Sequence, residues 1–151
     1  MHVQLIEDAG CPEIQIVIRC PKADGEVLRL MALLRAGDRK LTGEQDGQTF
    51  LLDPDQILYA DTTDRRSFLY TESGVYETPL RLYELEERLG GNFFRASKSS
   101  LINFDQIRSL RPDLGGRMRV TLSNGEVLVV SRQYAVTIKQ RLGLNNKGGT
   151  L

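Results

Sequence analysis

The chain has 151 residues, with 20 Lys/Arg against 20 Asp/Glu, 40% apolar and 26% charged side chains. That size fits one domain or one domain with a small extra module, able to bury a core without a metal or disulfide staple, and the composition excludes disorder. No apolar run approaches the ~20 residues of a membrane span and residues 1–8 lack the build of a signal peptide, so a cytoplasmic protein is expected.

Ile14–Ile18 is a β-branched run between Pro12 and Pro21 and reads as a strand. Asp24 offers an N-cap ahead of Val27, Leu28, Met31 and Leu34, whose spacing suits a helix. Residues 37–47 are polar and carry three glycines, so they read as a joint. Residues 1–44 are therefore expected to form a small βα unit, residues 45–144 the main domain, and residues 145–151 a frayed tail.

From Gln48 the pattern is one of short strands: 49–52, 57–61, 67–71 and 75–77, with turns at 53–55, 62–66 and 72–74. Thr78 then reads as the N-cap of a helix with Pro79 at its first position, Leu82, Leu85 and Leu89 on one face, and Gly90-Gly91 at its stop. Strands are expected again at 101–103 and 107–110. Gly115-Gly116 turns the chain into the alternating Met118, Val120 and Leu122, and Asn124-Gly125 reads as a two-residue hairpin turn into 127–130. Ser131 caps a last helix with Tyr134, Ile138 and Leu142 at i, i+4 and i+8, ended by Gly143. The expected class is mainly β (α+β), antiparallel with short helices.

Chemistry is bounded by what is scarce. His2, Cys11 and Cys20 are too few and wrongly spaced for a closed zinc site, and they leave no general base for nucleophilic catalysis. The glycines form neither a dinucleotide fingerprint nor a phosphate loop. No metal, no cofactor and no enzymatic activity are expected.

Charge is unevenly placed. Residues 1–56 carry six basic against ten acidic side chains, whereas residues 92–141 carry nine basic against three acidic. A basic region joined to an acidic one suits a surface that meets a polyanion, or alternatively a protein-interaction module whose basic face meets an acidic partner. Within the basic region, Phe93 and Phe94 can anchor a stretch whose Arg95, Ser97, Lys98, Ser99 and Ser100 offer the donors that bind phosphate oxygens and base edges. Arg65-Arg66 lies at a hairpin tip. Arg132 stands in the first turn of the last helix, against the helix dipole.

In its order of motifs the stretch 57–142 resembles the LytTR domain, a DNA-binding domain of bacterial transcription regulators. The residues that carry the resemblance are Ile57-Leu58-Tyr59, Phe68–Thr71, Leu82–Glu86, Phe93–Ser99, Ile102-Asn103, Ile107, Asn124-Gly125 and Val130–Tyr134. It implies an elongated antiparallel β-fold whose loops enter successive major grooves, unlike a helix-turn-helix protein, which inserts a helix. It places a first DNA-facing loop on Arg65, Arg66 and Ser67, and a base-reading loop on Arg95, Ser97, Lys98 and Ser99. Asn103, Arg132 and Gln133 complete the expected DNA-binding set. Ser97 stands where the family often has histidine. No receiver domain is read ahead of the resemblance, since the first ~45 residues are too few for one. By analogy, the implied partners are double-stranded DNA at tandem sites, a second copy in a homodimer, and a membrane-protein inhibitor.

Overall fold

A computed structural model describes residues 1–38 and 40–144. The chain divides into two units, Met1–Arg35 and Ala36–Leu151. The expected tail at 145–151 lies outside the described residues.

In the first unit the chain makes a turn in which Cys11 N donates to the Asp8 carbonyl at 3.1 Å. The strand expected at Ile14–Ile18 does not form. β-branched residues favour extended backbone, but a strand exists only when its N–H and C=O groups find a ladder partner. Among the described residues this run has none, and Ile14 is 95% exposed. The expected βα unit is thus a segment without helix or strand followed by a helix, α1 (Gly25–Asp38). Asp24 caps α1 as its position predicts, accepting from Val27 N at 3.1 Å.

Among the described residues of the second unit, every strand pairing is antiparallel. Its strands are β1 (Leu41–Gln45), β2 (Gln48–Leu52), β3 (Ile57–Thr63), β4 (Arg66–Thr71), β5 (Gly74–Thr78), β6 (Phe93–Ser97), β7 (Ser100–Asn103), β8 (Ile107–Pro112), β9 (Met118–Leu122) and β10 (Val127–Val130). Strands β1 to β7 form one sheet in the order β2-β1-β5-β4-β3-β7-β6, and the last three form a second in the order β10-β9-β8. The expected joint at 37–47 instead contains β1 and the turn to β2, so the sheet starts at Leu41, ahead of the expected boundary at 44/45.

Two helices complete the unit, α2 (Leu82–Leu89) and α3 (Arg132–Arg141). The start of α2 corrects the sequence reading by several residues. Thr78 is not its N-cap, because it pairs with Ser67 in the β4–β5 ladder and is buried there. The N-cap is Arg81, and the helix ends at Gly90, whose φ of 70° is one that glycine adopts without strain. The β9–β10 turn is also longer than expected. Gly125 N donates to the Leu122 carbonyl and Leu122 N to the Glu126 carbonyl, which makes a three-residue loop over 123–125 with Gly125 at φ 91°.

Two cores explain why the middle strands read as paired apolar residues. One gathers Leu69, Leu82, Leu85 and Leu89 with Ile57, Phe93 and Leu101. The other gathers Met118, Val120, Val130 and Ile138 with Leu58, Phe94 and Ile102. Successive side chains of a strand point to opposite faces. Hence Ile57/Leu58, Phe93/Phe94 and Leu101/Ile102 each send one residue to each core. β3, β6 and β7 form the wall between the two cores, and strands covered on both faces lose the apolar–polar alternation.

Candidate nucleic-acid interface

The tip of the β3–β4 hairpin is a two-residue turn, with Thr63 and Arg66 as the last pair. Asp64 and Arg65 have φ values of 52° and 64°. Positive φ at both central residues is the geometry that follows the twist of the strands, and it ordinarily selects Asn or Asp followed by glycine. Arginine in the second place is strained, and it puts a guanidinium at the apex of the turn. Arg66, the next residue, is engaged elsewhere. It donates to Glu77 through Nε at 2.8 Å and Nη2 at 2.6 Å, and it holds the Glu77 carboxyl below its ordinary range. Ser67 is buried and shares a hydrogen bond with the Thr62 hydroxyl at 3.3 Å.

The β6–β7 hairpin carries the second tip, Lys98-Ser99, closed by the Ser97–Ser100 pair. A hydroxyl network fastens it: the Ser97 and Ser100 hydroxyls lie 2.8 Å apart, and Ser99 N donates to Ser97 Oγ at 3.1 Å. Arg95 braces the same tip from beneath, donating to the Lys98 carbonyl at 2.8 Å and to Glu86 of α2 at 2.8 Å. Thr62 N donates to the Ser99 carbonyl at 2.8 Å, which ties this tip to the end of β3. Phe93, Phe94 and Ala96 are buried beneath it. The Lys98 side chain projects from the fastened backbone into solvent.

These two tips converge. Arg65, Ser67, Arg95, Lys98 and Ser99 line one open cleft of ≈ 610 Å³, together with Thr62 of β3 and Arg81, Leu82 and Tyr83 at the start of α2. Half of the expected set therefore shares a single concavity. Arg81 and Tyr83 were missed, because the sequence reading began that helix at Thr78; an arginine in a slot that favours Ser, Thr, Asp or Asn was the available signal.

Arg132 and Gln133 stand apart from the cleft, exposed at the first turn of α3. The helix start is nevertheless fixed to the β6–β7 hairpin, since Ser131 N donates to the Ala96 carbonyl at 2.8 Å. The Arg132 stem lies across Gly116: a Cβ there would meet Arg132 Cγ at 3.0 Å, and the Gly116 φ of 79° also favours glycine. Asn103 sits elsewhere. It is 2% exposed, its amide donates to the Ile57 carbonyl at 2.9 Å, and its side-chain oxygen accepts from Asp105 N at 3.0 Å. It joins β7 to the start of β3.

Comparison with known proteins agrees with this architecture. Residues 47–143 match the sequence model of the LytTr DNA-binding domain, and the chain belongs to that family. Proteins of Staphylococcus aureus strains COL and Mu50, each named an uncharacterized HTH-type transcriptional regulator, are 27% identical over 146 residues, which is 95% of this chain and 99% of theirs. Among solved structures, the LytTr DNA-binding domain of a methyl-accepting/DNA response regulator from Bacillus cereus superposes with a TM-score of 0.64 at 23% identity, covering 69% of this chain and 96% of that one. The relatives' name speaks of a helix-turn-helix. Among the described residues, α2 and α3 are separated by five strands, and no two helices are joined by a short turn.

Proposed function

We propose that this member of a DNA-binding family is a sequence-specific regulator of transcription that sets hairpin tips, and no recognition helix, into the major groove of double-stranded DNA. The observation that carries the reading is the cleft in which Arg65 and Lys98, from two hairpins distant in sequence, come together on fastened backbones. Lys98 and Arg132 are exposed, and neither has an ion-pair partner among the described residues, so they are the base readers. Arg65 and Ser99 hold the backbone beside them. Arg95 and Asn103 act from within the fold: Arg95 sets the height of the Lys98 tip, and Asn103 anchors the far end of the same hairpin.

In this reading the protein works in the cytoplasm as a homodimer on tandem sites. The first unit supplies the self-association, for it exposes Val3, Leu5, Ile14 and Val17, along with Leu28 and Leu34 of α1. A unit of about 35 residues is too small to bury a core by itself, and a second copy would give those side chains cover. Joining two weakly bound domains raises the effective concentration at the second site.

The test is a salt titration against a duplex from the chain's own upstream region and a random duplex. Contact with about five to eight phosphates gives a slope of log K against log salt of roughly −4.5 to −7 on both, with tighter binding to the former. Affinity that stays flat from low to physiological salt, or equal affinity for both duplexes, would refute sequence-specific DNA binding.

A further inference from the structure

We infer that Arg81, at the threshold of α2, is a third phosphate-holding point, seated between the tips of β3–β4 and β6–β7. The inference rests on the reading above that the cleft faces DNA. Four cations line that cleft: Arg65, Arg81, Arg95 and Lys98. Arg95 is neutralised by Glu86. No carboxylate lines the cleft, and the other three cations have no ion pair among the described residues. Gathering three unneutralised cations around one concavity raises the local potential and costs self-repulsion, which a polyanion laid across it relieves.

A second observation is local. Arg81 has the extended backbone of an N-cap, φ −77° and ψ 161°, where a short oxygen-bearing side chain would satisfy the first free N–H groups of the helix. Arginine supplies no acceptor, and its charge opposes the positive end of the helix dipole. Glu84 partly offsets this by accepting from Arg81 N at 3.3 Å. The position is therefore occupied against the interest of the helix, by the side chain best shaped for a bidentate grip on phosphate. Tyr83, 58% exposed beside it, adds a hydroxyl donor on the same rim.

The experiment compares Arg81→Ser and Arg81→Lys with the full-length parent, by salt titration on the upstream and random duplexes and by thermal unfolding. Losing one phosphate contact should flatten the slope by about 0.9 and weaken both duplexes alike, by about eightfold at ~0.1 M salt relative to 1 M. Arg81→Lys should retain most of the slope. Serine is the better cap, so the unfolding midpoint of Arg81→Ser should hold or rise while its affinity falls, and a merely structural arginine would move both downward. If Arg81→Ser keeps the parent's steep slope, the inference is overturned and the cleft remains a DNA surface without it. If the parent itself shows no salt dependence, the reading of the cleft fails first. Should Arg81→Ser melt early, Arg81→Gln, uncharged and of similar reach, decides: a slope flattened by about 0.9 supports the phosphate contact and the parent's slope overturns it.

Discussion

Two turns in the seven-stranded sheet share left-handed φ values at both central residues and differ in sequence. At the β1–β2 turn Asp46 and Gly47 have φ values of 51° and 76°; at the β3–β4 turn Asp64 and Arg65 have 52° and 64°. Each joins its strands through two residues, with Gln45–Gln48 and Thr63–Arg66 as the closing pairs. Asp-Gly is the pair this geometry favours, because glycine enters the left-handed region without a Cβ clash. Asp-Arg carries that clash and in exchange places a guanidinium at the apex. One turn has the residues that its backbone favours, whereas the other carries strain and presents a guanidinium to the cleft. Local rules give way most often where a site is built.

The difference can be tested at graded cost. The largest effects should come from the side chains proposed above to read bases. Lys98→Ala or Arg132→Ala should cost about 1–3 kcal/mol on the specific duplex and relax preference at one or two base pairs, as measured by competition with single-substituted sites. An equal loss on random DNA would make them phosphate holders. Next, Gly47→Arg, which copies the strained turn to the other hairpin, should lower stability in urea by about 1–2 kcal/mol with no gain in DNA affinity.

The converse change, Arg65→Gly, should raise stability by about 0.5–1 kcal/mol and weaken specific and random duplexes together. If Arg65→Gly is neutral to stability, the strain argument is wrong. Smallest is the effect of Glu77→Gln, which removes the carboxylate held by Arg66. The folded-state pKa of Glu77 is lowered, first by the hydrogen bonds from Arg66. Its contribution is therefore present above its ordinary value of 4.5 and lost as pH falls through the lower folded value. Urea midpoints for the parent and Glu77→Gln should differ slightly near neutrality and converge in acid.

Much of the β-domain was legible from residue order. Phe68–Thr71, the Met118/Val120/Leu122 alternation and the Leu82/Leu85/Leu89 face each announce their element by period, and the structure places them as their periods require. What failed was competition between neighbours. Thr78 followed by Pro79 is a sound helix start, yet the β4–β5 ladder held Thr78 and moved the cap to Arg81. Asp46-Gly47 is a strong hairpin signal, but Gly37 and Gly43 nearby disguised it as a joint. Ile14–Ile18 has the composition of a strand, and composition alone does not supply a ladder partner.

The candidate site was legible as segments and illegible as a surface. Arg65, Lys98 and Arg132 stand out by type and place, but nothing in their spacing distinguishes the exposed Lys98 from the internally bonded Arg95 three residues earlier. Asn103 belongs to the same order of motifs and turns inward, where its amide donates to the Ile57 carbonyl at the start of β3 and its side-chain oxygen accepts from Asp105 N. The convergence of 62–67, 81–83 and 95–99 depends on strand order, which no local pattern encodes.

The wall between the two cores has a consequence for how the molecule opens. Phe93 and Leu101 belong to one core, Phe94 and Ile102 to the other, so the β6–β7 hairpin cannot detach from either core without detaching from both. The amides that pair β6 with β7 should exchange with solvent deuterium only through near-global unfolding, while the amide of the exposed Lys98, a few residues away, exchanges faster. The tip that carries Lys98 is thus mounted on a hairpin shared by both cores. A protease meeting the folded chain would cut first within residues 1–24, which are exposed and form no helix or strand.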